Sequence, residues 1–158
     1  MTLTLIIGPM YSGKTTELLK HKKGKTLLIN HVLDTRTNGV KTHDGIEVPA
    51  YKCDVLPYDL FSQYDTVLID EIQFFSDISC LENTANNIIC AGLSGDYKRR
   101  PMGKVLSIIP KASKIIFLTA RCEFCGESAA FTKRMSCEKK IISVDSEYKP
   151  VCEKCYMD

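Results

Sequence analysis

The chain has 158 residues, of which 44% are hydrophobic and 25% charged, the ordinary balance of a folded globular protein rather than a disordered or fibrous one. Lys and Arg number 21 against 19 Asp and Glu, a net charge of +2, too small for electrostatic capture of a long nucleic acid or an anionic membrane. The apolar run Thr2 to Ile7 has no basic stretch before it and breaks at Gly8-Pro9, so it matches neither a signal peptide nor a membrane span; a cytoplasmic protein with no membrane and no nucleic-acid partner is expected.

In chain order, residues 1–120 alternate short apolar, β-branched runs with turns and helix-compatible segments, which is the pattern of a parallel sheet with crossovers. The predicted strands are Leu3 to Ile7, Thr26 to Asn30, Thr66 to Asp70, Ile88 to Leu93 and Lys114 to Thr119. All are near-continuously apolar, as strands buried on both faces are. Helices are predicted at Thr15 to Lys23 and at Asp77 to Asn87, where Ile78, Leu81, Ala85 and Ile88 form one stripe. Gly103 to Ile109, stopping at Pro110, fits a short helix or a strand. From Arg121 the chain changes to short pieces, including an apolar Ile141 to Val144, and carries seven basic and seven acidic residues. An α/β phosphate-loop domain over residues 1–120 with a small C-terminal appendage over 121–158 is therefore expected.

Residues 8–15, Gly8-Pro9-Met10-Tyr11-Ser12-Gly13-Lys14-Thr15, match the phosphate-loop pattern, with a predicted strand before and a helix after. Glycines let backbone N–H groups converge on phosphate oxygens, Lys14 brings a point charge, and Thr15 offers a magnesium ligand. Asp70 ends the third strand, where a parallel sheet presents a carboxylate to that magnesium. Glu71 follows, and successive residues at a strand end can face different pockets, so it can accept a proton from an attacking hydroxyl. Asp34 and Arg36 follow the second strand and can reach magnesium and phosphate; His31, Thr42, His43 and Asp44 share that loop region.

Of eight cysteines, Cys122, Cys125, Cys152 and Cys155 form two CxxC pairs 26 residues apart. Each pair offers two thiolates from one turn, together a closed tetrahedral set for structural Zn²⁺, with no histidine nearby to suggest a catalytic site. Cys53, Cys80, Cys90 and Cys137 are single and expected to be buried.

The ordered blocks GPMYSGKTTELL, HVLDTR, THDG, DEIQFF, GLSGDYKRRPMG, LTARCEFCG, AFTKR and YKPVCEKC, which span nearly the whole chain, resemble the type II thymidine kinases. The resemblance implies ATP-dependent phosphorylation of the 5′-hydroxyl of thymidine, with deoxyuridine as a further pyrimidine deoxynucleoside substrate, and Glu71 as catalytic base. It implies that Gly8 to Thr15, Asp34, Arg36, Asp70 and Gln73 serve ATP, with Thr15 and Asp70 on Mg²⁺. Phe74 joins Gln73 at the floor of the site, Tyr97 stacks on thymine, and Met10 and Leu93 complete an apolar slot. Thr132, Tyr148 and the segment Ile141, Ile142, Ser143 and Val144 belong to a zinc-binding lasso that closes over the nucleoside. A homo-tetramer or dimer and inhibition by thymidine triphosphate are also implied. Three features depart from the family pattern: a shortened stretch at Leu19 to Lys25, a lasso without Gly-Gly before Tyr148, and Ser94 and Asp96 where Asp and Thr are expected. Two other readings start from the same motifs. A nucleotide-driven motor would use water as acceptor, and a zinc-ribbon nucleic-acid binder would need a cationic face that residues 121–158 lack.

Overall fold

The computed structural model describes residues 2–84, 86–136 and 147–158. The chain begins with β1 (Thr2–Gly8), α1 (Lys14–Leu19) and β2 (Thr26–His31), then forms β3 (Gly39–Lys41), β4 (Glu47–Pro49), β5 (Tyr51–Cys53) and α2 (Tyr58–Phe61). There follow β6 (Thr66–Ile69), 3₁₀ turns at Ile72–Phe74 and Ile78–Asn83, β7 (Asn87–Leu93), α3 (Val105–Ile108), a 3₁₀ turn at Ile109–Lys111 and β8 (Lys114–Phe117). The last part holds β9 (Ala120–Arg121), β10 (Ser128–Ala129), β11 (Phe131–Arg134), β12 (Tyr148–Val151) and α4 (Glu153–Met157).

Six strands form one sheet in the order β5-β2-β6-β7-β1-β8, and every neighbouring pair is parallel. Side chains alternate faces along a strand, so two cores result. Leu3, Leu5, Ile29, Val67, Ile69 and Ile88 pack with Phe61, Phe75, Ile78, Leu81 and Ile108 on one face. Ile6, Leu28, Leu68, Ile89 and Ala91 pack with Leu18 of α1 and Val40 of β3 on the other. Burial on both faces is the reason these strands read as continuous apolar runs. Because Gly8 pairs with Leu93 and Ile69 with Cys90, parallel register brings the carboxyl ends of β1, β6 and β7 to one edge of the sheet. Ligands of open α/β sheets sit at that edge.

Several expectations need correction. The helix at Thr15 to Lys23 is shorter, closing at Leu19. The Asp77 to Asn87 segment is a 3₁₀ stretch over Ile78–Asn83, not an α-helix, although Ile78 and Leu81 are buried as the stripe requires. Ala85, from the same stripe, lies outside the described residues. Gly103 to Ile109 resolves as helix rather than strand, and the chain keeps turning through Pro110 in 3₁₀ form. Pro is tolerated there because the first turn needs no N–H from it. β8 is an edge strand with Lys114, Ile115 and Phe117 exposed, so it is not buried on both faces.

Several elements were unforeseen, among them the three strands β3, β4 and β5. β5 adds a sixth strand beside β2, and β3 with β4 forms an antiparallel hairpin. The turn of that hairpin is Thr42-His43-Asp44-Gly45, with Gly45 at φ 82° and its N–H donating to the Thr42 carbonyl at 3.0 Å. Asp-Gly between alternating Val40/Thr42 and Ile46/Val48 was the available signal.

Candidate functional site

At the end of β1 the chain must turn sharply, and Gly8 is where it starts. A Cβ there would lie 2.5 Å from the Leu118 carbonyl oxygen and 2.7 Å from Ser12 Oγ, so no side chain fits. Gly13 (φ 80°) and Tyr11 (φ 62°) both take the left-handed conformation. For Tyr11 that conformation costs about 1–3 kcal/mol, the kind of strain that persists at functional sites. The Ser12 hydroxyl donates to the Pro9 carbonyl at 2.8 Å, and Lys14 Nζ donates to Pro9 O at 2.5 Å and Ser12 Oγ at 3.4 Å. The ammonium is thus folded under the loop. Burial pulls its pKa down, while the nearby Glu71 and Asp70 carboxylates act in the opposite direction.

Asp70 is 3% exposed at the end of β6. Its Oδ2 accepts from the Thr15 hydroxyl at 2.8 Å and its Oδ1 from the Glu71 N–H at 3.0 Å. Burial, and then the charge of Glu71, push the Asp70 carboxyl upward, so a cation here would relieve an unfavourable ionisation. The hydroxyl and carboxylate together fit a magnesium ion, a hard cation bound by one or two protein oxygens plus substrate phosphates.

Glu71 has φ 54° and ψ 43°, a left-handed residue between strand and 3₁₀ turn. That kink is how consecutive carboxylates come to serve different neighbours. Glu71 Oε1 accepts from Arg36 Nη2 at 3.3 Å, and Oε2 accepts from Gln73 Nε2. Arg36 also grips Asp34 with two bonds, Nε to Oδ1 at 2.7 Å and Nη2 to Oδ2 at 2.9 Å. Burial acts to raise the Asp34 pKa, but hydrogen bonds from Arg36 and Asn30 outweigh it and hold the carboxyl at about 2. The Lys52 ammonium on β5 donates to the carbonyls of Asp34 and Thr37, which ties this loop to the sheet edge.

These groups surround a pocket of about 500 Å³. Met10, Tyr11, Asp34, Arg36, Glu71, Gln73, Phe74 and Leu93 line it, joined by Tyr97 and, from the C-terminal part, Thr132 and Tyr148. The Met10 N–H donates to Thr132 Oγ1 at 3.0 Å, a direct link between the phosphate loop and β11. Tyr97 has the Arg134 guanidinium 4.0 Å from its ring centroid, and Arg134 also donates to the Tyr148 hydroxyl. The Tyr97 carbonyl accepts from the Tyr156 hydroxyl at 2.7 Å. Ile141, Ile142, Ser143 and Val144 lie outside the described residues, so their placement in a lasso has no structural description.

Sequence reasoning missed Leu33, Thr35, Lys41, Met102 and Glu147 in the pocket wall, and the bracing roles of Arg134, Asn30 and Lys52. Arg134 carried a signal, being a cation that closes the strand-like block Ala130-Phe131-Thr132-Lys133-Arg134. The departure at Asp96 acquires a cause. Its carboxylate, 7% exposed, accepts from the N–H groups of Lys98 at 2.8 Å and Arg100 at 2.9 Å and so shapes the loop that carries Tyr97. Nothing in the structure explains Ser94.

The four paired cysteines converge, all four Sγ atoms lying within 4.8 Å of one another. A tetrahedral site with Zn–S bonds of about 2.3 Å needs sulfurs about 3.8 Å apart, so the set fits a closed structural zinc site. The first turn is stabilised by Cys122 N–H to Glu127 O at 2.7 Å and Gly126 N–H to Cys122 O at 3.0 Å, with Gly126 at φ 77°. Among the single cysteines Cys90 is buried and Cys53 half-buried, but Cys80 is exposed, contrary to expectation; Cys137 lies outside the described residues.

A family model described as thymidine kinase matches residues 1–156. Similar proteins include thymidine kinase a of Arabidopsis thaliana, 38% identical over 97% of this chain and 74% of that one. The thymidine kinase of Sheeppox virus is 41% identical over 96% and 94% of the two chains, and that of Monkeypox virus 38% identical over 99% and 97%.

Proposed function

The chain belongs to the thymidine kinase family, and from that premise we propose that it transfers the γ-phosphate of ATP to the 5′-hydroxyl of thymidine, and of deoxyuridine, in DNA precursor salvage. The observation that carries this reading is Glu71. Its left-handed backbone turns a carboxylate into the pocket directly after Asp70, which is bonded to Thr15 of the phosphate loop.

Phosphoryl transfer needs positioning and charge neutralisation more than covalent chemistry. Gly8 to Thr15 cradle the phosphates, with Lys14 beneath them. Thr15 and Asp70 would hold Mg²⁺, which when bound offsets charge on the transferring phosphoryl. Arg36, between Asp34 and Glu71, supplies a second cation where charge develops. Glu71 takes the proton of the 5′-hydroxyl as its oxygen attacks in line. Tyr97 offers a flat face for the base, braced from Arg134, while Met10 and Leu93 give the thymine methyl an apolar niche. Residues 1–120 act as the ATP-binding domain and 121–158 as the lasso. In that lasso the four thiolates would hold structural Zn²⁺, keeping Thr132 and Tyr148 against the pocket.

The same reading includes a homo-tetramer or dimer in the cytoplasm, inhibited by thymidine triphosphate. Among the described residues no helix is long and apolar enough to cross a membrane. A panel of deoxynucleosides assayed for ATP-dependent monophosphate formation tests the proposal. Thymidine is expected to be the best acceptor, deoxyuridine next, with little purine turnover. ATP hydrolysis at the same rate without any nucleoside would overturn it in favour of a motor or switch.

A further inference from the structure

Glu71 is a flexible side chain on a kinked backbone, yet a general base must lie within hydrogen-bond reach of the hydroxyl it deprotonates. Of its two partners, Arg36 is half-exposed and has the phosphates to serve. The other, Gln73, is 4% exposed and fixed on every side. Its Oε1 accepts from the Leu93 N–H at 3.1 Å, and since that N–H can only donate, the amide orientation is determined and its NH₂ group faces Glu71 Oε2.

Two glycines close around it. A Cβ on Gly92 would lie 2.4 Å from Ile72 Cγ2 and 2.8 Å from Gln73 Oε1. A Cβ on Gly103 would lie 2.1 Å from the Gln73 carbonyl oxygen, and Gly103 also needs φ 58°. Gly92 belongs to β7, whereas Gly103 ends the loop that carries Tyr97 and Met102, both in the pocket wall. The amide therefore meets the strand beneath the site, and its backbone meets the loop beside the nucleoside.

We propose that Gln73 is a positioning residue for the reaction, a locked amide that registers the Glu71 carboxylate against the sheet and against the loop holding the base platform. This rests on Glu71 being the general base. The family resemblance groups Gln73 with the ATP ligands; here its amide nitrogen also donates to Glu71 and its amide oxygen accepts from the Leu93 N–H. A displacement of about 1 Å at a reacting group can cost roughly 100-fold in rate, so the brace acts on turnover rather than on binding.

Gln73→Glu keeps the shape and the acceptor for Leu93 N–H but removes the donor to Glu71. We expect kcat for thymidine phosphorylation to fall about 10- to 100-fold, with KM for ATP and for thymidine within about twofold of wild type. Gln73→Met, which has similar length and no charge, removes the donor to Glu71 and the acceptor for the Leu93 N–H together, should lower kcat at least as far, and serves if the added carboxylate disturbs folding. The decisive comparison uses the Glu71→Gln background, where the same Gln73 substitution should cost less than about twofold, because residues that act as a unit are non-additive. An equal loss in both backgrounds, or a rise in KM with kcat unchanged, would overturn the positioning role. So would wild-type turnover in both Gln73 variants while Glu71→Gln is impaired. Wild-type turnover in Glu71→Gln itself would instead remove the general-base reading and this inference with it.

Discussion

The six-stranded sheet and the cysteine-bearing C-terminal part reach order by different physics. In the sheet, two apolar layers bury alternate residues of the same strands, and strand pairing and burial reinforce each other. In the C-terminal part the buried cluster among the described residues is Cys122, Ala129 and Val151, with Phe131 and Tyr156 packed at its margin. Among the described residues its strands pair in twos, β9 with β10 and β11 with β12. A core that small rarely holds a fold unaided, which is where a metal cross-link contributes most. The pocket lies between the two regimes. Its Glu71 side rests on the sheet edge, and its Tyr97 side rests on β11, β12 and the Asp96 loop.

The contrast is most sharply broken at the four cysteines proposed to hold zinc. Structural zinc contributes about 10–16 kcal/mol of apparent binding energy in small zinc peptides. Cys152→Ala, or chelation, should therefore unfold the C-terminal part while far-ultraviolet circular dichroism retains the sheet signal. Hydrogen exchange should localise the loss to residues 120–158, and the thymidine KM should rise more than about tenfold because Thr132 and Tyr148 lose their support. Elemental analysis showing no stoichiometric metal in active protein would remove the contrast altogether.

On the sheet side, Glu71→Gln keeps volume and removes the base. A positioned general base contributes about 10²- to 10⁴-fold, so kcat should fall by that order while ATP binding and zinc content stay near wild type. Wild-type kcat would mean that Glu71 is not the base.

Tyr97→Ala tests the seam. An offset aromatic stack contributes about 0.5–1.5 kcal/mol beyond area, so the thymidine KM should rise roughly two- to tenfold, leaving the ATP KM nearly unchanged. Equal KM in variant and wild type would take Tyr97 out of the nucleoside site.

At Asp34 the expected effect is on stability and leaves the nucleoside site untouched. Its carboxyl is held at about 2, below the ordinary carboxylate value of about 3.9. A depressed folded-state pKa gives stability that is complete above the unfolded value and is lost as pH falls through about 2. Because the Arg36 side chain is 45% exposed, solvent screening reduces that contribution to about 1–2 kcal/mol. Asp34→Asn should thus melt lower than wild type at pH 7, with the difference narrowing below pH of about 3. A difference independent of pH would assign the loss to packing instead of charge.

Much of the candidate site was legible because its elements are contiguous in the chain. Gly8 to Thr15 occupy eight successive positions, Asp70 and Glu71 are neighbours, and each CxxC pair closes one turn. The helix over Asp77 to Asn87 was misjudged since an apolar stripe reports burial of Ile78 and Leu81, not the hydrogen-bond period beneath it. The exposure of β8 was hidden for a related reason. Ile115 and Phe117 have the composition of core residues, and edge position depends on which strands pair.

What the amino-acid sequence determined alone was local chemistry: a glycine-bearing turn between strand and helix, adjacent carboxylates at a strand end, and four thiols in two turns. Such features depend on bond geometry across a few residues. Only the tertiary structure decided that Gln73 takes the Leu93 N–H and turns its amide to Glu71, that Arg134 lies over Tyr97, and that Met10 bonds to Thr132. Those partners are 2 to 122 residues apart in the chain. Even the nearest pair meets through a left-handed kink and a glycine from another strand, because position there is set by packing that closes over all of them at once.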